Sequence, residues 1–410
     1  MSAGLFVDAS DSLLAIIEET DWGTTPSTPA FKRLRFTGEG LGANVESIKS
    51  NEIDPDASVK DLVQSGGGAT GDFNFELSFG AEFDLILELA MRGDFDAATQ
   101  ILKAGSTKKS ATIEKKLSNG TDDYYFRYAG SRVNSLALNI TADQIIGGTV
   151  AIQGKSESLA AAIISGATYA VPNTNPVMSV SNVRAIVFVG FENEVVFSDM
   201  SFTLNNNLRT QRGFSTATTS FPDLDAKGIG MGQREVTGNL TAFFSNSELY
   251  TKFISGGEFS LSFVLSDGTN GYCVTFPRVK FQTAKSNAGG NNSDVQQAMT
   301  WQATKHTSIG TDMLVFKLPL AALGLTVTAE GDPLLMNVAG EYVLASGTAG
   351  ETTAVYVRRD GMFVLKYVST KWYFQQVGGD KYYGCATIDG TYTGETGYTT
   401  GGVPTVAVEV

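Results

Sequence analysis

One histidine, His306, and two cysteines, Cys273 and Cys385, are all this 410-residue chain offers of the residue types most used in catalysis and metal binding. A single histidine rules out a multi-histidine metal site, and rules out a Ser-His-Asp triad unless His306 itself serves. We read it as structural. Two cysteines in what read as different domains do not make a disulfide framework, and are read as reduced thiols acting as small core residues. Charged residues are sparse, at 18%, so the chain is neither disordered nor a coiled coil. Lys and Arg number 30 against 43 Asp and Glu, a formal charge of −13. Such a balance excludes a surface built to grip nucleic-acid phosphates, though not one that nucleic acid must pass without sticking. The longest apolar run, around Leu314 to Val327, is broken by Lys317, Pro319 and Gly324, so no membrane span is expected. The N-terminus lacks a basic segment, and Ser12 to Ile17 is too short and too acidic in its flanks for a signal peptide. Synthesis and folding in a reducing cytoplasm are expected.

What is abundant points to β-structure. Glycine (45 residues) and phenylalanine (25 residues), with many Thr, Ser and Asn, favour strands and turns. The informative stretch runs from Ser50 to Gly93. A short strand, Val45 to Ile53, leads through a polar loop, Asp54 to Thr70, into Gly71-Asp72-Phe73-Asn74-Phe75-Glu76-Leu77-Ser78-Phe79, whose apolar residues alternate. Phe83, Leu85, Ile86, Leu87, Leu89 and Ala90 then change to helical spacing, and Gly93 is the expected stop.

The same order returns later. Phe202 to Arg209 is the short strand, Thr210 to Glu235 the long loop, Val236 to Ser245 the second strand, and Glu248 to Ile254 the helix. Thr70-Gly71-Asp72-Phe73 matches Thr237-Gly238-Asn239-Leu240, and Leu117-Ser118-Asn119-Gly120-Thr121 matches Leu265-Ser266-Asp267-Gly268-Thr269. Arg132-Val133 is set against Arg278-Val279, and Val150-Ala151-Ile152-Gln153 against Met299-Thr300-Trp301-Gln302. The Asn-Gly and Asp-Gly steps are hairpin turns, since those residues tolerate positive φ. Matches in one repeated order indicate duplication.

The expected fold is mainly β: two tandem β-sandwich or partial-barrel domains, each with one flanking helix, and a small C-terminal antiparallel β domain. The expected boundaries are an N-terminal arm at 1–30, a first domain at 31–180 that includes a linker at 158–182, a second domain at 183–320 and the appended module at 323–410. The module is read from Tyr342-Val343-Leu344, Val355-Tyr356-Val357, Met362 to Leu365 and Lys371 to Phe374, short strands between Gly-rich turns.

Chemistry-bearing motifs are weak. Gly228-Ile229-Gly230-Met231-Gly232 follows no βαβ pattern and precedes no Walker lysine, so it reads as a flexible loop tip. Asp54-Pro55-Asp56 and Asp223-Leu224-Asp225 lack calcium-loop spacing. Tyr124-Tyr125 and Tyr382-Tyr383, without basic neighbours, read as ordinary strand residues. No cofactor is expected, and the chain is not read as an enzyme. An acidic, duplicated β protein with two long loops is an assembly protein, because long loops without structure of their own are uncommon unless functional. Trp22 in the Asp21–Pro29 arm, Gly66, Gly67 and Gly68 in the first loop, and Gly228, Gly230 and Gly232 in the second are the expected contacts between subunits or rings.

Ser50-Asn51-Glu52-Ile53, the Gly71-to-Phe79 strand with its helix, Asn205-Asn206-Asn207-Leu208-Arg209 and Pro277-Arg278-Val279 resemble the major tail tube proteins of long, non-contractile-tailed bacteriophages. The resemblance covers roughly residues 5–307. It implies a β-sandwich or partial barrel with one flanking helix, whose inner strands join those of neighbours into a continuous barrel. Stacked rings of it make the tube through which DNA leaves the capsid. Such tubes present six equivalent domains per ring, so a chain carrying two implies a homotrimeric, pseudo-sixfold ring. It further implies a lumen traversed by the tape-measure protein and double-stranded DNA, contacts with tail tip and tail terminator proteins, no membrane, and a place in the virion tail after assembly in the host bacterial cytoplasm. Asp72, Asn74, Glu76, Asn239 and Thr241 are the lumen-facing candidates. The alternative is another virion or cell-surface structural protein, such as a fibre, decoration or surface-layer component.

Overall fold

The computed structural model describes residues 6–319 apart from 54, 190, 192, 215 and 217–223, and beyond them the backbone of eight strands. The first half contains β1 (Leu13–Glu18), β2 (Ala30–Arg33), β3 (Gly38–Glu39), β4 (Gly42–Ala43), β5 (Glu46–Lys49), β6 (Leu62–Gly66), β7 (Ala69–Glu76), α1 (Ala81–Met91), β8 (Ile101–Lys103), β9 (Ala111–Ser118), β10 (Asp123–Thr141), β11 (Gly147–Gly154), β12 (Ser156–Ala160) and β13 (Thr168–Ala170). The second half contains β14 (Val183–Val189), β15 (Phe197–Asn205), β16 (Arg209–Gln211), β17 (Gly228–Gly230), β18 (Glu235–Phe243), α2 (Glu248–Ile254), β19 (Phe259–Ser266), β20 (Asn270–Asn287), β21 (Gln296–Ala303) and β22 (Leu314–Pro319). Strands dominate, and the main sheet curls into a half-barrel.

Pairing follows one order in both halves. In the first, the β3–β4 segment pairs with β7, β7 with β11, β11 with β10, β10 with β9 and β9 with β1. In the second, β15 pairs with β18, β18 with β21, β21 with β20, β20 with β19 and β19 with β14. The long strands β10 and β20 each carry two register shifts, at Tyr128/Ser131 and Val133/Ser135, and at Phe259/Leu261 against β19 and Phe281/Thr283. A bulge bends and twists a strand, so each long strand leaves one layer and enters the other.

Register corrects two sequence matches. Arg132-Val133 lies opposite Gln153-Ile152, and the residues opposite the equivalent Gln302-Trp301 are Lys280-Phe281, so Arg278-Val279 is out of step with Arg132-Val133. Similarly, the strand that pairs with β7 is Gly38 to Ala43, and the Val45–Ile53 segment is instead one arm of a hairpin. The Gly38, Gly40 and Gly42 series hides this strand, since glycine has low strand propensity. Close approach explains the glycine across from it on β7: a Cβ on Gly71 would come within 2.2 Å of the Gly40 carbonyl oxygen.

The two long loops are not unstructured. The first is the β5–β6 hairpin, with Ile48 opposite Val63, and the second is built on the β16–β17 pair. Nor is 158–182 a free linker. β12 pairs with β10, β13 runs parallel to β2, and the Arg35 guanidinium donates to the Asn175 carbonyl at 2.7 Å. Helix α1 ends one residue early, at a left-handed Arg92 (φ 56°) rather than at Gly93.

Almost every side of α1 is buried, through Phe83, Leu85, Ile86, Leu87, Leu89, Ala90 and Met91. A helix with seven of its eleven residues buried belongs inside a core, and here that core is common to both halves. One apolar cluster runs from Leu14 to Val315. Polar ties cross it: Tyr272 Oη donates to Asp84 on α1 at 2.8 Å, Lys317 Nζ meets the other oxygen of Asp84 at 3.1 Å, and Asn206 Nδ2 donates to the Ala90 carbonyl at 2.9 Å. Strand β8 of the first half also pairs with β22. Tyr272→Phe removes one bond to a carboxylate, a change of about 1.5–3 kcal/mol; urea unfolding should show the loss as a single lowered midpoint, because the halves share this core.

Beyond residue 319, β23 (Leu325–Thr328), β24 (Gly340–Ser346), β25 (Val355–Arg358), β26 (Phe363–Val368), β27 (Lys371–Gln376), β28 (Lys381–Cys385), β29 (Thr393–Gly394) and β30 (Thr405–Val408) form a separate antiparallel sheet. Consecutive strands from β23 to β29 are neighbours, and β30 returns beside β23.

Candidate assembly surface

Period-two alternation gives the wide sheet one apolar and one wet face. On β7, Phe73 and Phe75 are buried while Thr70, Asp72 and Asn74 are exposed and Glu76 half-buried. On β18, Val236, Leu240 and Ala242 are buried, with Asn239 exposed and Thr241 half-buried on the other side. All five residues expected to line a lumen therefore lie on one face of one sheet. Its polar groups bond to each other across strands: Thr149 Oγ1 to Asn74 Oδ1 at 2.7 Å, Thr141 Oγ1 to Asp199 Oδ2 at 2.7 Å, Gln282 Nε2 to Gln302 Oε1 at 2.7 Å, and the Thr283 and Thr300 hydroxyls at 2.8 Å. The carboxylates of Asp72, Glu76, Asp199 and Glu235 and the ammonium groups of Lys280 and Lys285 interrupt a surface made mostly of hydroxyls and amides.

The two halves meet in this same sheet. Strand β10 pairs with β15 from Ser135↔Asn205 to Thr141↔Asp199, placing Leu136 opposite Leu204 and Leu138 opposite Phe202, all four buried. At the sheet's extremes the equivalent strands have one partner each among the described residues: β20 from Thr283 to Asn287 pairs only with β21, and the β3–β4 segment only with β7. On β20, Ala284 and Ser286 stand opposite the buried Met299 and Gln297, hence on the apolar face. Sequence reasoning missed this edge, because a terminal strand has the same local pattern as an internal one.

The glycines expected at loop tips lie at hairpin roots. Gly66 and Gly67 are buried, and a Cβ on Gly67 would meet the Leu224 carbonyl oxygen at 2.9 Å. Gly68 stands between the hairpin and β7, Gly228 and Gly230 belong to β17, and a Cβ on Gly232 would come within 2.2 Å of the Asn207 carbonyl oxygen. Arg212 joins the two roots, donating to the Gly67 carbonyl and to Glu46, each at 2.8 Å. The structure thus brings the two glycine groups together, for backbone approach. Asp223 and Asp54 lie outside the described residues.

Trp22 is engaged within its own chain. Its Nε1 donates to the Gly130 carbonyl at 3.0 Å, and Arg132 and Lys155 stack on the ring. The bend beside it is set by buried Glu19, whose carboxylate accepts from the Gly23 and Gly130 amides and the Ser110 and Thr112 hydroxyls at 2.7–2.8 Å. His306 caps a turn, its Nδ1 accepting from the Ile309 amide at 3.3 Å, and burial together with Arg278 lowers its pKa. Cys273 is buried, its Sγ 3.7 Å from the Thr275 hydroxyl. No cluster of potential metal ligands occurs among the described residues, and no helix among them is long and apolar enough to cross a membrane.

A curled sheet with a polar face, a buried face and, among the described residues, a strand open on one side at each extreme has edges at which further strands can pair. The family model for phage tail tube protein matches residues 9–303, and the chain belongs to that family. It is a structural protein of the virion tail, non-enzymatic, that self-assembles into a tube. No curated protein matches the chain.

Proposed function

We propose that each chain supplies two tube units arisen by duplication, and that three chains close one pseudo-sixfold ring. The observation that carries this is the internal β10–β15 seam, which joins the edge strand of one half to the opposite edge of the other. The common pairing order of the halves supports the duplication. By that equivalence the β20 edge of one chain takes the β3–β4 edge of the next, with Ala284 facing Ala43 and Ser286 facing Leu41. Closure leaves no exposed edges to pair indiscriminately.

Rings stack into a channel for genome ejection, with the wet face inward. A lining of bonded hydroxyls and amides offers DNA phosphates few cations to hold them, and Asp72, Glu76 and Asp199 repel them. The tape-measure protein and double-stranded DNA occupy this lumen in turn, and tail tip and terminator proteins meet its ends. Assembly takes place in the host cytoplasm. The hairpins and the Trp22 arm border the surface between rings.

Electron microscopy of the concentrated protein, with averaging down the tube axis, tests the reading. Hollow tubes with threefold rings of six lobes are expected. Rings of six whole chains would sink the trimer, and flat sheets would sink the tube.

A further inference from the structure

The segment that leads into β14 covers one end of the first half. Leu77 N–H donates to the Ile146 carbonyl, Met178 N–H to the Leu77 carbonyl and Ile146 N–H to the Met178 carbonyl, each at 2.8 Å, and Val177 pairs with Ser78 in an isolated antiparallel bridge. Leu77, Ile146 and Met178 are consequently no more than 1% exposed.

Register identifies the same seat in the second half. Glu76 pairs with Gly147 as Phe243 pairs with Gln296, so Phe244 and Ser245 stand in the places of Leu77 and Ser78, and Val295 in that of Ile146. The first bond is kept, Phe244 N–H to the Val295 carbonyl at 2.9 Å. Among the described residues, however, no segment lies where Val177 and Met178 lie in the first half, and Phe244 and Val295 are 44% and 40% exposed.

The missing cover has a counterpart near the start of the chain. Strand β14 lies beside β19 as β1 lies beside β9. Each is entered through one short 3₁₀ turn, Val180–Asn182 before β14 and Ala9–Asp11 before β1. The turns match in their bonding: Asn182 N–H donates to the Ser179 carbonyl at 2.9 Å, and Asp11 N–H to the Asp8 carbonyl at 3.0 Å. The two residues before Ser179 and Asp8 are then equivalent, Val177-Met178 with Phe6-Val7, an apolar pair in both. Within its own chain Phe6 is 90% exposed, and Val7 is exposed beside it.

We propose that Phe6 and Val7 of each chain cover the rim formed by Phe244, Ser245 and Val295 on the neighbouring chain of the same ring, as Val177 and Met178 cover the first half within one chain. This rests on the pseudo-sixfold reading above, in which β1 stands to the neighbour's second half as β14 stands to the first half of its own chain. The main-chain bonds carry over. Val7 N–H donates to the Phe244 carbonyl, Val295 N–H donates to the Val7 carbonyl, and Phe6 lies opposite Ser245. An extended segment added to a sheet end supplies such bonds together with seats for its side chains. Each contact between chains is thereby held at two places, along the strand edge and at the rim. Charge is the one mismatch. Ser179 and Ile145, which bridge each other in the first half, are replaced by Asp8 and Asp294, and like charges directly opposite are destabilising.

The full chain carrying Phe6→Cys and Ser245→Cys tests the contact, since residues opposite one another in an antiparallel bridge lie within reach of a disulfide. Mild oxidation of assembled rings should give a covalent ladder that stops at three chains and that neither single variant gives. Rings that never crosslink overturn the proposal, because another segment then fills the rim. A ladder that runs past three also overturns it, because the segment then passes between rings. A second measurement needs no disulfide. Phe6→Asp, with circular dichroism unchanged, should raise the concentration at which rings form by roughly tenfold or more, and Asp294→Asn should lower it about threefold. Ring formation unmoved by Phe6→Asp overturns the proposal. Rings of six whole chains by electron microscopy, or no rings from the wild type, would instead remove the reading on which it rests.

Discussion

Chains carrying Ser286→Glu are expected to fold and to remain monomeric. Ser286 is exposed on the β20 edge, so the monomer tolerates a carboxylate there. Its counterpart in the internal seam is Leu138, 4% exposed opposite Phe202. Closing the proposed ring puts the new carboxylate on the apolar face against Leu41, where the Lys115 ammonium is already engaged by Glu39 and the Leu41 carbonyl. An unpaired buried charge costs several kcal/mol, and about 4 kcal/mol is a thousandfold in association at each contact. Light scattering after size exclusion should find one chain where the wild type gives rings. The control is Lys285→Glu, one residue away on the wet face, which should leave rings intact. Equal effects of the two substitutions, or rings from Ser286→Glu, would reject the proposed seam.

Gly238→Ala is expected to be the most damaging single methyl in the second half. A Cβ there lies 2.3 Å from the Ser201 carbonyl oxygen and 2.3 Å from Trp301, which is fully buried with Phe276 on it at 4.8 Å between ring centroids. Overpacking a close-packed core commonly costs about 1–3 kcal/mol, and here a strand backbone must move as well as a side chain. We expect about 3 kcal/mol or more, read as a fall in melting temperature on the order of 6 °C or more. Trimming the indole should not rescue it: in Gly238→Ala/Trp301→Leu the carbonyl of Ser201 remains. Full rescue by the double substitution would show that the indole alone sets the constraint.

Legibility followed the range of the interactions. Phe73, Phe75, Leu240 and Ala242 announced their strands, because alternation is a local consequence of the pleat. The α1 helix was equally plain, because seven of its apolar side chains had to be buried. The β5 arm was read as a strand, within Val45–Ile53, but β6 and the second hairpin were read as loop, since glycines and short arms carry little strand propensity, and pairing between residues as far apart as Glu46 and Gly66 leaves no local signal. Gly66 to Gly68 and the glycines of Gly228 to Gly232 were read as flexible loop tips, whereas the structure uses several of them for close backbone approach. They were placed wrongly because close approach at a root and flexibility at a tip look alike in sequence.

The sequence by itself determined that this is a β-rich, acidic chain with a recurring strand-and-helix order, because composition and period-two patterning are properties of residues and their near neighbours. Only the tertiary structure decided that Asp72, Asn74, Glu76, Asn239 and Thr241 share one wet face, that β10 and β15 weld the halves into one sheet, and that β20 and the β3–β4 segment are left as its open edges. Those facts depend on strand order and register between residues far apart in the chain, which hydrogen bonding across the sheet fixes and no local pattern encodes.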